Sequence, residues 1–66
     1  MNAIQSTELQ AAISRGSDAV NALLRSKREL LRCALNASFA GQPVPKQDID
    51  QLHTDIAAAQ AALRNL

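Results

Sequence analysis

Residues 41–45, Gly-Gln-Pro-Val-Pro, constrain the fold of this chain more than any other stretch. Glycine adopts the left-handed backbone conformation that commonly ends a helix, and proline cannot continue one. On both sides of this stretch the apolar residues recur at helical spacing, and alanine, the best helix former, is abundant. Because so short a connection makes consecutive helices antiparallel neighbours, the sequence predicts an all-α fold, a two-helix antiparallel hairpin with its turn at about residues 41–45.

The second helix is predicted to run from about Lys46 to the end of the chain. Its apolar residues are spaced by three and four in alternation, which makes a two-position heptad seam. Aspartates near its start and Arg64 near its end suit the helix dipole. The seam residues are Ile49, Leu52, Ile56, Ala59, Leu63 and Leu66.

The first helix is predicted to be long, beginning at a capping box near Thr7 and ending at about Phe39. Its weak points are Gly16 and Lys27. The seam residues are Leu9, Ile13, Gly16, Val20, Leu24, Lys27, Leu31, Leu35 and Ser38. A glycine inside a helix costs only about 1 kcal/mol, so a continuous or kinked helix is expected, with a break capped by Ser17 as the alternative. Lys27 can lay its aliphatic stem on the seam and keep its charge in water.

Folding the chain at the turn sets the expected pairing of the two helices. The whole of residues 1–66 is expected to form a single helical-hairpin domain, with residues 1–6 disordered, since the chain is too short for more than one domain. The same register brings Asp55 near Arg28 or Arg32. The residues expected at the centre of the core are Leu31, Leu35, Leu52 and Ile56.

The hairpin leaves apolar surface without a partner. The first helix is longer than the second, so Ile4, Leu9 and Ile13 would extend past its end. The apolar arc of the first helix is also wider than one partner helix covers. We therefore expect a helical protein partner, with a homo-oligomer as the other possibility. The predicted partner-binding residues are Leu9, Ile13, Leu23, Leu30 and Cys33.

The composition argues against several classes of function. The single cysteine forms no internal disulfide and fits a reducing, cytoplasmic compartment. There is no run of 18 apolar residues to span a membrane. One histidine and one cysteine cannot complete a structural zinc site, and no cofactor motif occurs. Cys33 and His53 lie at similar levels of the hairpin but have no orienting third residue, so no enzymatic activity is expected.

A basic helical face keeps nucleic-acid binding open as an alternative. Arg25, Arg28 and Arg32 share one face at helical spacing and could contact phosphates. In this alternative the hairpin self-associates into a homodimeric four-helix bundle that acts as a nucleic-acid-binding regulator. The net charge of +1 and the absence of Trp and Tyr favour a solvated face instead.

The chain resembles the small co-chaperones of the type III secretion needle subunit, the YscE, PscE and SsaE group. The likeness lies in the leucine-rich basic stretch LLRSKREL at 23–30, the turn GQPVP at 41–45, and the Gln- and Ala-rich helix at 51–66. The resemblance implies a cytoplasmic bacterial hairpin that binds a helical-repeat chaperone. Together the two would keep the needle subunit unpolymerised before export, without enzymatic activity.

Overall fold

A computed structural model of the protein describes residues 7–66, so the predictions for residues 1–6, their disorder and the overhang of Ile4, lie outside the described part. Residues 7–66 are all-helical and contain no strand, as predicted. The number of helices differs from the prediction, because there are three instead of two. They are α1 (Thr7–Arg15), α2 (Ser17–Phe39) and α3 (Lys46–Arg64).

The break between α1 and α2 consists of one residue, Gly16. Its N–H donates to the carbonyls of Ala12 and Ile13 and so ends α1, while its carbonyl accepts from Ala19 and Val20 and so begins α2. Its φ of 108° and ψ of 178° are far from helical values. A side chain is strained at such a positive φ, and glycine is not. The long continuous first helix is therefore wrong, and the alternative of a break holds. The cap predicted for that break is wrong, because Ser17 lies inside α2 and no side chain of residues 7–66 caps the helix.

The turn between α2 and α3 lies where the Gly/Pro stretch predicts it. Gly41 has a φ of 91°. The N–H of Gln42 donates to the carbonyl of Ala37, and that of Gly41 donates to the carbonyl of Ser38. These two bonds make a Schellman motif, which satisfies the last carbonyls of α2. Pro45 then directly precedes α3, where its missing N–H costs nothing.

Helix α1 folds back along α2 and does not extend beyond the hairpin. The described chain is 39 Å in its longest dimension, whereas an unbroken helix over 7–39 would be about 50 Å long. Leu9 and Ala12 of α1 join one buried cluster with residues of both other helices, and Leu9 is only 3% exposed. The remaining members of this cluster are Val20, Leu24, Ala59 and Ala62.

The core therefore lies at the end of the hairpin away from the turn. Val20 and Ala59 are fully buried, with no exposed surface. The four residues expected at the centre, Leu31, Leu35, Leu52 and Ile56, are all only half-buried. Two packed helices alone bury little apolar surface. The third helix, α1, completes a core only at the end of the hairpin near Gly16. The alanines of α3 are explained in part by the same contact, because small side chains allow other helices to approach closely.

Candidate protein-interaction surface

Lys27 lies where the three helices meet. Its Nζ is 3.0 Å from Oε1 of Glu8 on α1 and 3.2 Å from Oδ2 of Asp55 on α3. The side chains of Lys27 and Asp55 are each only 17% exposed, so both charges are largely withdrawn from water. The predicted pairing of Asp55 with Arg28 or Arg32 is wrong, because Lys27 lies on the seam and reaches across to α3 itself.

The carboxylates around Lys27 raise the pKa of its ammonium above the ordinary value. The largest cause is the hydrogen bond that Nζ donates to Glu8. The hydrogen bond and the charge of Asp55 act in the same direction, while partial burial opposes them. Lys27 is therefore charged at neutral pH. Because the three groups come from three helices, this cluster favours the arrangement in which α1 is folded back.

Beyond Lys27 no third helix lies on the hairpin within residues 7–66. With nine residues α1 is about 14 Å long, whereas α2 with 23 residues is about 35 Å long. Glu8, near the start of α1, already lies beside Lys27. We call residues 28–39 of α2 and 46–54 of α3 the distal half. None of residues 25–58 is buried, so the distal half is a two-helix layer with apolar side chains that remain partly in water.

The structure separates the five predicted partner-binding residues into two groups. Leu9 belongs to the buried cluster, and Ile13 packs against it half-buried, so the expectation that both lack a partner within the chain is wrong. The reason is that Gly16 turns α1 back onto the hairpin. Leu23 also packs against the cluster half-buried, whereas Leu30 is 52% exposed and Cys33 is exposed. Of the five, Leu30 and Cys33 are thus the most accessible, and both lie in the distal half.

Phe39 is a candidate contact residue that the sequence reasoning did not select. It is the last residue of α2 and the single aromatic residue of the chain, and it is 86% exposed. It lies about 180° around α2 from Leu30 and on the side of Arg32, because nine and seven residues separate it from these two. The exposure of Phe39 could have been predicted from the sequence. Phe39 lies beside the turn, where a hairpin has no other helix to cover it.

The candidate chemistry of Cys33 and His53 does not come together. The thiol of Cys33 is directed at Oε2 of Glu29, 3.6 Å away, and no hydrogen bond joins Cys33 to His53 within the described residues. Glu29 is also bound by Arg32, whose Nε donates to Oε1 at 3.2 Å. The hydrogen bond and charge of Arg32 lower the pKa of the Glu29 carboxyl. This is a surface network along one helix, in which Glu29 accepts hydrogen bonds from Cys33 and Arg32.

The predicted basic face is exposed on α2. Arg25 and Arg28 are both exposed, and neither forms an ion pair within residues 7–66. Arg32 is occupied by Glu29. The face therefore offers two unpaired guanidinium groups one helical turn apart, which is a small charged surface for a nucleic acid.

No protein-family model matches the chain, and no curated protein and no solved structure matches it significantly.

Two further features bear on the class of function. Between residues 7 and 66 no helix has the length and apolarity needed to cross a bilayer. The histidine, cysteine and carboxylates of that same part of the chain also form no group of three or more that could hold a metal ion.

Proposed function

We propose that the protein is a non-enzymatic interaction module that binds a helical protein partner through its distal half. One observation carries the proposal. Leu30, which is 52% exposed, lies on a flank of α2 that no third helix covers within residues 7–66. Burying a large apolar side chain stabilises a complex by roughly 1.5–3 kcal/mol. A partner that covers this surface therefore supplies apolar burial that the two-helix layer does not provide.

A helix is the shape that suits this surface. Leu23 and Leu30 are two helical turns apart on one flank of α2, and the half-buried Ala34 and Ala37 continue that flank toward the turn. Small residues between large ones let another helix approach closely. At the other end of the hairpin α1 already lies along the same flank, since Ala12 of α1 lines one pocket with Ala19 and Leu23 of α2. A partner helix would continue the line of α1.

The finer proposal concerns the identity of the partner, and the resemblance alone supports it. On this proposal the protein is a cytoplasmic chaperone component that binds a helical-repeat chaperone. Together they help to keep a type III secretion needle subunit unpolymerised. An exposed leucine beside half-buried alanines is the kind of surface that a partner helix would cover.

The test is co-expression with a candidate needle subunit and its helical-repeat chaperone, followed by affinity purification. We expect the unchanged chain to retain both. In a Leu30→Ser variant, we expect association to weaken by more than about tenfold if this side chain is fully buried in the interface. The matched control is Arg25→Ser with Arg28→Ser, which changes an exposed face of the same helix and should leave association unchanged.

The two levels of the proposal fail in different ways. If the candidate secretion proteins do not associate with the unchanged chain, the finer proposal is wrong. If a partner associates but the Leu30→Ser variant retains it with unchanged affinity, the flank of Leu23 and Leu30 is not the binding surface. Circular dichroism of each variant shows whether the helices are intact, so that lost association is not confused with unfolding.

The second candidate is a nucleic-acid-binding regulator that uses Arg25, Arg28 and Arg32. It is favoured by one observation, that Asp55 pairs with Lys27 and so does not neutralise Arg25 or Arg28. If the arginine variant and not the apolar variant loses its partner, and the binding weakens steeply with salt, this candidate replaces the first.

A further inference from the structure

The turn between α1 and α2 depends on the backbone of one residue. The N–H and the carbonyl of Gly16 complete the two adjoining helix ends. No side chain caps the start of α2, and the N–H groups of Ser17 and Asp18 find no backbone acceptor within residues 7–66. If Gly16 took helical dihedrals, these two groups could donate to the carbonyls of Ile13 and Ser14. A straight helix over 7–39 would therefore gain two backbone hydrogen bonds.

The bent chain has stabilising contacts that a straight chain would lose. It buries Leu9 and Ala12 against the cluster residues of α2 and α3, and it holds Glu8 beside Lys27. Straightening α1 exposes both sides of this contact, and the two exposed surfaces fit each other. Because they belong to one chain, a second straightened copy carries the same pair of surfaces.

We propose that Gly16 is a hinge through which two copies of the protein can exchange α1. In the exchanged dimer, α1 of each copy packs on α2 and α3 of the other. The pairing of Glu8 with Lys27 is compatible with a two-fold axis. In the exchanged dimer the two straightened helices would run antiparallel and cross near Ser17, which lies midway between residues 8 and 27 and beside the hinge. Such an interface is isologous, with each Glu8 facing the Lys27 of the other copy. The exchanged dimer keeps the buried cluster and also gains the backbone bonds that the bent monomer lacks.

The variant that tests this is Gly16→Ala in the full chain. No atom lies within 4 Å of a Cβ built at Gly16, so the substitution causes no collision, but its φ of 108° is strained for alanine. Alanine also favours a straight helix. We expect the dissociation constant of the dimer to fall by more than about tenfold relative to the unchanged chain, measured by size-exclusion chromatography with light scattering.

The matched control is Gly41→Ala. Gly41 also has a positive φ of 91°, and no atom lies within 4 Å of a Cβ built there. It lies in the turn between α2 and α3, which does not have to open when α1 is exchanged. This variant should remain as monomeric as the unchanged chain. Adding Leu9→Ser to Gly16→Ala should abolish the dimer, because the exchanged helix then loses its buried leucine. A dimer that tolerates Leu9→Ser with helix content intact, equal dimerisation of Gly41→Ala, or a Gly16→Ala chain that stays monomeric at millimolar concentration would each overturn the proposal.

A second measurement decides the matter if Leu9→Ser unfolds the chain. Two Gly16→Ala chains are prepared, one with Glu8→Lys and the other with Lys27→Glu. In the exchanged mixed dimer, position 8 of each chain faces an opposite charge at position 27 of the other chain, whereas each exchanged homodimer sets like charges together. We expect the mixture to form mainly heterodimers, detected by native mass spectrometry. A statistical mixture of dimers would show that α1 is not exchanged.

Discussion

Leu24→Ala is expected to unfold most of the protein at room temperature or to lower its melting temperature strongly. Leu24 is 5% exposed and belongs to the one buried cluster that all three helices share. Removing a buried leucine side chain costs about 2–5 kcal/mol. At about 0.05–0.15 kcal/mol per residue, a chain of this length is stable by only about 3–10 kcal/mol, so the loss is comparable to the whole.

The matched control for this change is Leu30→Ala. The chemistry is the same and the residue lies on the same helix, but Leu30 is 52% exposed. Its replacement should change the free energy of unfolding by less than about 0.5 kcal/mol, as surface substitutions usually do. Thermal melts followed by circular dichroism compare the two. Equal destabilisation by both changes would show that the core extends into the distal half.

Ala59→Leu is expected to be the second most destabilising change. Ala59 has no exposed surface, so the helices meet around a side chain that is a single methyl group. Inserting a larger side chain into a packed core forces neighbouring helices apart and typically costs about 1–3 kcal/mol. Because α1 makes the shortest contact of the three helices, it should be the first to detach from the cluster.

Ala57→Leu is the control, because Ala57 lies on the exposed side of α3. Both changes replace alanine with leucine two residues apart on one helix, so the difference in helix propensity is the same for both. Chemical denaturation of the two variants isolates the packing cost. If Ala57→Leu destabilises the protein as much as Ala59→Leu, then α3 packs against the other helices through its opposite face.

The helical class and the turn at 41–45 could be read from the sequence because they depend on local chemistry. Gly41 ends α2 with a positive φ, and Pro45 precedes α3, as these residue types predict. The spacing of apolar residues also identified the face of each helix that packs. Val20, Leu24 and Ala59 all belong to the predicted seams.

The fold of α1 could not be derived in the same way, because glycine is compatible with both helical and positive-φ backbone conformations. Intrinsic propensity alone makes glycine a small penalty within a helix. The choice is made by contacts far away in the sequence, such as Leu9 with the cluster and Glu8 with Lys27. Those contacts exist only after the chain has turned. The location of the core and the accessibility of Leu9 depended on that choice, and the predictions for them were therefore wrong.

The folding back of α1 at Gly16 is tested most directly by one distance, between spin labels at Thr7 and Ser38. Both residues are exposed, and Cys33→Ser leaves the two introduced cysteines as the only thiols. Double electron–electron resonance at low protein concentration measures their separation. With α1 beside Lys27, we expect about 20 Å, from the helical rise and the usual spacing of packed helices. A distance of about 46 Å, that of an unbroken helix between these residues, would contradict the three-helix arrangement.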